Sequence, residues 1–225
     1  MGFRLSAFFG PVCGALLGAL SSPLPARGCE TALLLAIDVS GSIDEGEYRL
    51  QTDGLADALA DPLVVEALVG GQDALAVVQW SGVGQQALVL PWTRMTDGGT
   101  VARFAAAARA LPRAFAASDT AIGDAIAFSA AQFAQVPDCR RHVIDVSGDG
   151  IENAGSSTLF AHRAAAAQGV IVNGLAIESL GVTITTFYKR YVITPKGFVI
   201  TARDHNDYPR AIRLKLQREL TKPLG

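Results

Sequence analysis

From Thr31 onward the sequence alternates short, continuously apolar runs with longer segments of helical periodicity, the pattern of a parallel sheet covered by helices. Strands are expected at Ala32–Val39, Ala74–Trp80, Ala87–Trp92, His142–Ser147, Val170–Ile177 and Phe198–Thr201. Several of these runs lack polar alternation, as strands covered on both faces require. Between the first two, Asp44 with Glu47 three residues on forms a capping-box pair that opens a helix, and Pro62 interrupts the helical stretch. Further helices are expected from Val101–Leu111, from Ile122, Ile126, Ser129 and Phe133 at helical spacing, from Leu159–Gln168 and from Tyr208–Leu220. The second and third strands are separated only by Ser81–Gln86, too short for a parallel crossover, so they pair antiparallel. The expected fold is α/β and doubly wound: a mostly parallel six-stranded sheet with one antiparallel edge strand and helices on both faces.

A chain of 225 residues, half of them apolar and 18% charged, buries a substantial core, which excludes a disordered chain. Its formal charge of -2, with no long runs of Lys and Arg, supplies no field that tracks phosphates, so nucleic acid is not an expected partner. The start reads as a secretory signal peptide over residues 1–26: Arg4, an apolar stretch Leu5–Leu20 broken by Gly10, Pro11 and Gly14, then Ser21, Ser22, Pro23 and Pro25 before Ala26. That stretch is short and broken for a spanning helix, so no stable membrane span is expected after cleavage near Ala26. Arg27, in Ala26-Arg27-Gly28-Cys29, stands where a lipoprotein signal wants a small uncharged residue. The expected location is periplasmic or secreted, with one domain over residues 29–221. Cleavage removes Cys13 and leaves Cys29 and Cys139, each just ahead of an apolar run that ends in an Asp-containing turn. Both then start strands. If those strands are parallel neighbours the sulfurs meet; otherwise both thiols stay free.

The first strand ends in Asp38-Val39-Ser40-Gly41-Ser42. In open parallel sheets, ligands bind beyond the carboxyl ends of the strands. A carboxylate and two hydroxyls there suit a hard cation such as Mg²⁺, which takes oxygen ligands. Alone, Asp38 reads equally well as an ordinary strand-end residue and the serines as loop-formers or caps. Two further segments shift the balance: Ser118-Asp119-Thr120-Ala121-Ile122-Gly123-Asp124-Ala125 ahead of a helix, and Ser147-Gly148-Asp149-Gly150 after the fourth strand.

These residues resemble the metal-ion-dependent adhesion site (MIDAS) of the von Willebrand factor A family. The family's Asp-x-Ser-x-Ser is matched by Asp38, Ser40 and Ser42, its following Thr by Thr120, and its Asp before Gly by Asp149. The resemblance covers nearly the whole mature chain. It implies that the hydroxyls of Ser40, Ser42 and Thr120 contact the ion, with Asp38 and Asp149 acting directly or through water. Mg²⁺ is the expected ion, with Mn²⁺ and Ca²⁺ as alternatives, and a free vertex would take a carboxylate from a protein partner. In the family's strand order the first and fourth strands are parallel neighbours, which implies a Cys29–Cys139 disulfide at the pole opposite the metal. The finer pattern, Asp145-Val146-Ser147-Gly148-Asp149-Gly150 with Asn153, Gly155, Trp80-Ser81 and Pro91-Trp92-Thr93, resembles an exported bacterial branch described as a domain of unknown function.

Three more residues are candidates for the rim or the layer beneath it: Trp80 and Glu178 at strand ends, and Asp145 inside the fourth strand, where a carboxylate needs a partner. Edge packing suits Trp80 equally well, and a solvated loop charge is the simpler reading of Glu178. His142, His162 and His205 are scattered and read as structural or surface residues. A binding module is the favoured function, ahead of a structural domain with a stabilising metal. A Mg²⁺-dependent hydrolase or phosphatase ranks third, because Ser40 stands where an aspartyl-phosphate enzyme has its second acid and no Gly-x-Ser-x-Gly elbow or zinc-type His pair appears.

Overall fold

The computed structural model describes residues 1–2, 28–116, 119–178 and 183–220; the expected signal peptide and its cleavage point near Ala26 lie outside the described residues. Among the described residues there are six strands: β1 (Thr31–Asp38), β2 (Ala74–Trp80), β3 (Gln86–Arg94), β4 (Arg141–Gly148), β5 (Ile171–Ile177) and β6 (Val199–Ala202). They form one sheet in the order β3-β2-β1-β4-β5-β6. All neighbours are parallel except β2 and β3, the short-linked pair. β3 runs to Arg94, past the expected end at Trp92, and as an edge strand it accommodates Pro91 without losing a ladder donor.

Among the described residues, seven α-helices cover the sheet: α1 (Glu45–Leu59), α2 (Pro62–Gly71), α3 (Gly98–Arg109), α4 (Ile122–Gln132), α5 (Thr158–Ala167), α6 (Thr183–Phe187) and α7 (Tyr208–Leu220). The Asp44–Glu47 capping box is present: each residue's side chain accepts from the other's backbone N–H, at 2.9 and 2.8 Å. The interruption at Pro62 is a full break, because Asp61 caps a new helix and Pro62 occupies its first turn, where its missing N–H is not needed. α6 and the π-helical turn Tyr188–Val192 that follows it were not expected, since no apolar periodicity announces them.

β1 is buried along its whole length because β2 and β4 flank it and helices cover both faces. Its side chains divide by strand alternation: Leu33, Leu35 and Ile37 join one core with residues of α1, α2, α3 and α7, while Ala32, Leu34 and Ala36 join the other with residues of α4, α5, α6 and the π turn. Truncating one of these leucines to Ala typically costs about 2–5 kcal/mol. Cys29 and Cys139 are disulfide-bonded, with Cα atoms 4.3 Å apart at the starting ends of β1 and β4. The parallel register pairs Ile37 with Ser147, so both strands end together and release their loops side by side.

Candidate metal centre

Beyond those strand ends the loops converge. Asp38 is the last residue of β1, and its Oδ1 accepts from Ser40 N–H at 2.7 Å. Ser40 Oγ lies 3.2 Å from Ser42 Oγ, and Ser42 Oγ donates to Asp149 Oδ1 at 2.7 Å. Thr120, just ahead of α4, places its Oγ1 3.5 Å from Ser40 Oγ. The Thr120 loop is pinned to the β4–α5 loop by Thr120 N–H donating to Asn153 Oδ1 at 2.8 Å and Asn153 N–H donating to Thr120 O at 3.1 Å. Asp38, Ser40, Ser42, Thr120 and Asp149 thus stand together, with Ser42 exposed and the other four buried.

Asp38 is fully buried, and its Oδ2 has no hydrogen-bond partner among the described residues. Burial pushes its carboxyl up to about 7, opposed by hydrogen bonds from Ser40, while the Asp149 charge pushes the same way as burial. The Arg113 charge draws the Asp38 carboxyl down as the smallest of these influences, while its guanidinium donates to the carbonyls of Val39 at 2.8 Å and Ser40 at 2.7 Å. Two carboxylates and three hydroxyls, all hard oxygens, fit a divalent cation, which would give the orphaned Asp38 Oδ2 a partner. Gly148 keeps the cradle open: a Cβ there would stand 2.7 Å from Asp38 Oδ2 and 2.8 Å from Tyr188 Oη.

Of the three further candidates, Trp80 packs in the core, Glu178 caps a helix and Asp145 has the ion-pair partner that a buried carboxylate needs. Trp80 is fully buried in the core beneath α4, so its indole cannot meet an incoming ligand. Glu178 accepts from the backbone N–H of Thr185 at 2.8 Å and of Ile184 at 3.3 Å, capping α6. Asp145 pairs with Lys215 Nζ at 2.7 Å, deep between β4 and α7, where Lys215 also meets Glu219 at 2.5 Å. Burial pushes Asp145 up to about 7 despite that ammonium. His205, read from sequence as structural or surface, lies beside the site, its Nε2 3.9 Å from Asp149 Oδ2. Arg113 was also missed, because no local pattern marks a guanidinium that returns to a loop 74 residues away.

This sheet order, with oxygen-bearing loops at the carboxyl ends of β1 and β4, defines a domain of the von Willebrand factor type A fold. Residues 28–224 match the family model described as "Protein of unknown function (DUF1194)", and the chain belongs to that family. No curated protein matches by sequence. Among solved structures it is similar to proximal thread matrix protein 1 from the mussel byssus, at 20% identity and TM-score 0.67 over 84% of this chain and 47% of that one. That protein with zinc occupying its MIDAS motif superimposes at TM-score 0.61, with 20% identity and the same coverage, 84% and 47%. A von Willebrand factor type A protein from Catenulispora acidiphila gives TM-score 0.63 at 19% identity over 87% of this chain and 44% of that one. The pilus adhesin SpaC from Lactobacillus rhamnosus GG gives 0.61 at 14% identity, over 85% and 30%. The chain therefore spans less than half the length of each of these proteins.

Proposed function

We propose that this chain is an exported binding module that holds a divalent cation, Mg²⁺ in the first instance, on Asp38, Ser40, Ser42, Thr120 and Asp149, and presents it to an acidic group of a protein partner. The observation that carries the reading is the buried, unpartnered Asp38 Oδ2 beneath a cluster of three hydroxyls and a second carboxylate. A bound cation supplies a Lewis-acidic vertex for an outside carboxylate. Ser40, Ser42 and Thr120 hold it with neutral oxygens, leaving its charge incompletely neutralised, and Asp38 and Asp149 fix its place. The similarity in fold to a pilus adhesin and a byssus matrix protein agrees with an interaction role.

Binding is favoured over catalysis because the nearby imidazole is not placed as a base: His205 faces Glu47 and Asp149, while the serine hydroxyls face one another and Asp149. Export is supported by the Cys29–Cys139 disulfide, a bond that persists in oxidising compartments. No helix among the described residues is long and apolar enough to cross a membrane. The test is capture of an immobilised Asp- and Glu-rich peptide library in Mg²⁺ and again in chelator. Capture that needs the ion and is lost in Ser42→Ala supports the reading; capture indifferent to both defeats it.

A further inference from the structure

His205 is left unused by the proposed function, yet it is built into the site. It opens the short 3₁₀ turn His205–Asp207 between β6 and α7. That turn is fixed by Asp204, which accepts from Asp207 N–H at 2.9 Å, and by Asp207, which accepts from Arg203 N–H at 3.0 Å and Arg210 Nε at 2.6 Å. The imidazole is 5% exposed, with Nδ1 3.0 Å from Glu47 Oε1. The other oxygen of Glu47 accepts from Asp44 N–H at 2.9 Å, so the capping box that starts α1 also aims Oε1 at the ring.

Nδ1 faces Glu47 Oε1, and Nε2 faces Asp149 Oδ2 across 3.9 Å. That separation is too long for a hydrogen bond, and Nε2 is buried with no hydrogen-bond partner among the described residues. An imidazole whose far N–H is held by a carboxylate is the usual arrangement of a metal-binding histidine. Two donors on one tetrahedral ion, at bond lengths of about 2.0–2.2 Å, stand about 3.3–3.6 Å apart. The observed 3.9 Å is slightly longer, so the two side chains close a little on a shared ion.

We propose that the Glu47–His205 pair belongs to the cation site, with His205 Nε2 as a nitrogen donor beside Asp149 that biases the site from Mg²⁺ toward nitrogen-accepting ions such as Zn²⁺. Mg²⁺ prefers oxygen ligands, whereas imidazole suits Zn²⁺ and its first-row neighbours. The inference rests on the cation-binding reading above. Its sequence elements are far apart: Glu47 in the first turn of α1 and His205 ahead of α7.

The test is calorimetric titration of the protein with Mg²⁺ and with Zn²⁺, in wild type, His205→Asn, Glu47→Gln and Asp38→Ala, with pulsed EPR of the Mn²⁺-loaded protein for ¹⁴N coupling. His205→Asn can keep an amide N–H toward Glu47 while removing the Nε2 donor, and Glu47→Gln preserves an acceptor for the α1 cap. We expect His205→Asn to lose roughly tenfold to a hundredfold in Zn²⁺ affinity, with Mg²⁺ affinity changed by less than about threefold. Glu47→Gln moves the Zn²⁺ value the same way, and the ¹⁴N coupling of wild type disappears in His205→Asn. An unchanged Zn²⁺ to Mg²⁺ ratio in both variants, with no ¹⁴N coupling in wild type, overturns the proposal; if Asp38→Ala then still abolishes binding, the cation site itself stands. Wild type that binds neither ion overturns both.

Discussion

The hydroxyl of Ser42 donates to Asp149 Oδ1 at 2.7 Å, closing a gap of 107 residues in sequence and joining the loop after β1 to the loop after β4. Ser42 is exposed while Asp149 is buried, so this bond runs from the mouth of the candidate site to its floor. Ser42→Ala removes one of the proposed oxygen ligands, at an exposed position. Its affinity for divalent ions falls at least roughly tenfold, while the stability of the ion-free protein changes by no more than about 1 kcal/mol. Calorimetric titration beside urea unfolding separates the two effects.

Gly148 tests the shape of the cradle. Gly148→Ala sets a methyl against Asp38 Oδ2 and Tyr188 Oη, at 2.7 and 2.8 Å before any relaxation. Overpacking of this kind costs about 1–3 kcal/mol. Urea unfolding of the ion-free variant measures that loss, and ion affinity falls with it because Asp38 is displaced.

Asp73 gives the pH dependence. It is buried and accepts from Thr31 N–H at 2.8 Å, and burial raises its carboxyl to about 6. The folded state therefore keeps a proton that the unfolded state releases near pH 4, so this group's contribution to stability falls as pH rises from about 4 to about 6. Asp73→Asn retains the acceptor and carries no charge. Chemical unfolding at a series of pH values shows it flattening that part of the profile and gaining stability over wild type at pH 7 and above.

Much of this was legible in the sequence, and the parts that were not share a physical cause. Strand positions and the reversed β3 follow from local apolar runs, the placing of Asp38 and Asp149 from the rule for strand ends, and that of Thr120 from the resemblance to the family's site. Glu178 and Trp80 sit at strand ends as expected, but their side-chain directions depend on α6 and α4, which strand position alone does not specify. The partner of Asp145 did leave a signal: Lys215 falls on the buried face of α7, between Ile212 and Glu219 at helical spacing. His205 left none, because it belongs to a non-periodic turn and meets Glu47 only once α1 and α7 are packed together.

The Cys29–Cys139 disulfide closes a loop of 110 residues. Chain-entropy reasoning assigns such a loop roughly 4 to 5 kcal/mol, with measured gains often smaller. Replacing both cysteines by Ser lowers the urea midpoint with little change in ion affinity, since the bond lies at the opposite pole from Asp38. Urea unfolding and ion titration of the double variant check both halves of that statement.

Lys215 is enclosed with Asp145 and Glu219 and is fully buried. Lys215→Met strands two buried carboxylates, and removing one partner of such a cluster typically costs about 3–5 kcal/mol. Thermal unfolding registers the loss, which grows as pH rises through about 7, where Asp145 ionises.

The most direct test of the central claim is the thermal midpoint in excess chelator against millimolar Mg²⁺, Mn²⁺ or Ca²⁺, with Asp38→Ala alongside. An ion that binds only the folded state stabilises it by about 2.7 kcal/mol at a hundredfold excess over its Kd. A midpoint that rises with at least one ion in wild type and stays fixed in Asp38→Ala is the predicted result. A midpoint indifferent to every ion, or one that rises equally in Asp38→Ala, contradicts a cation site built on Asp38.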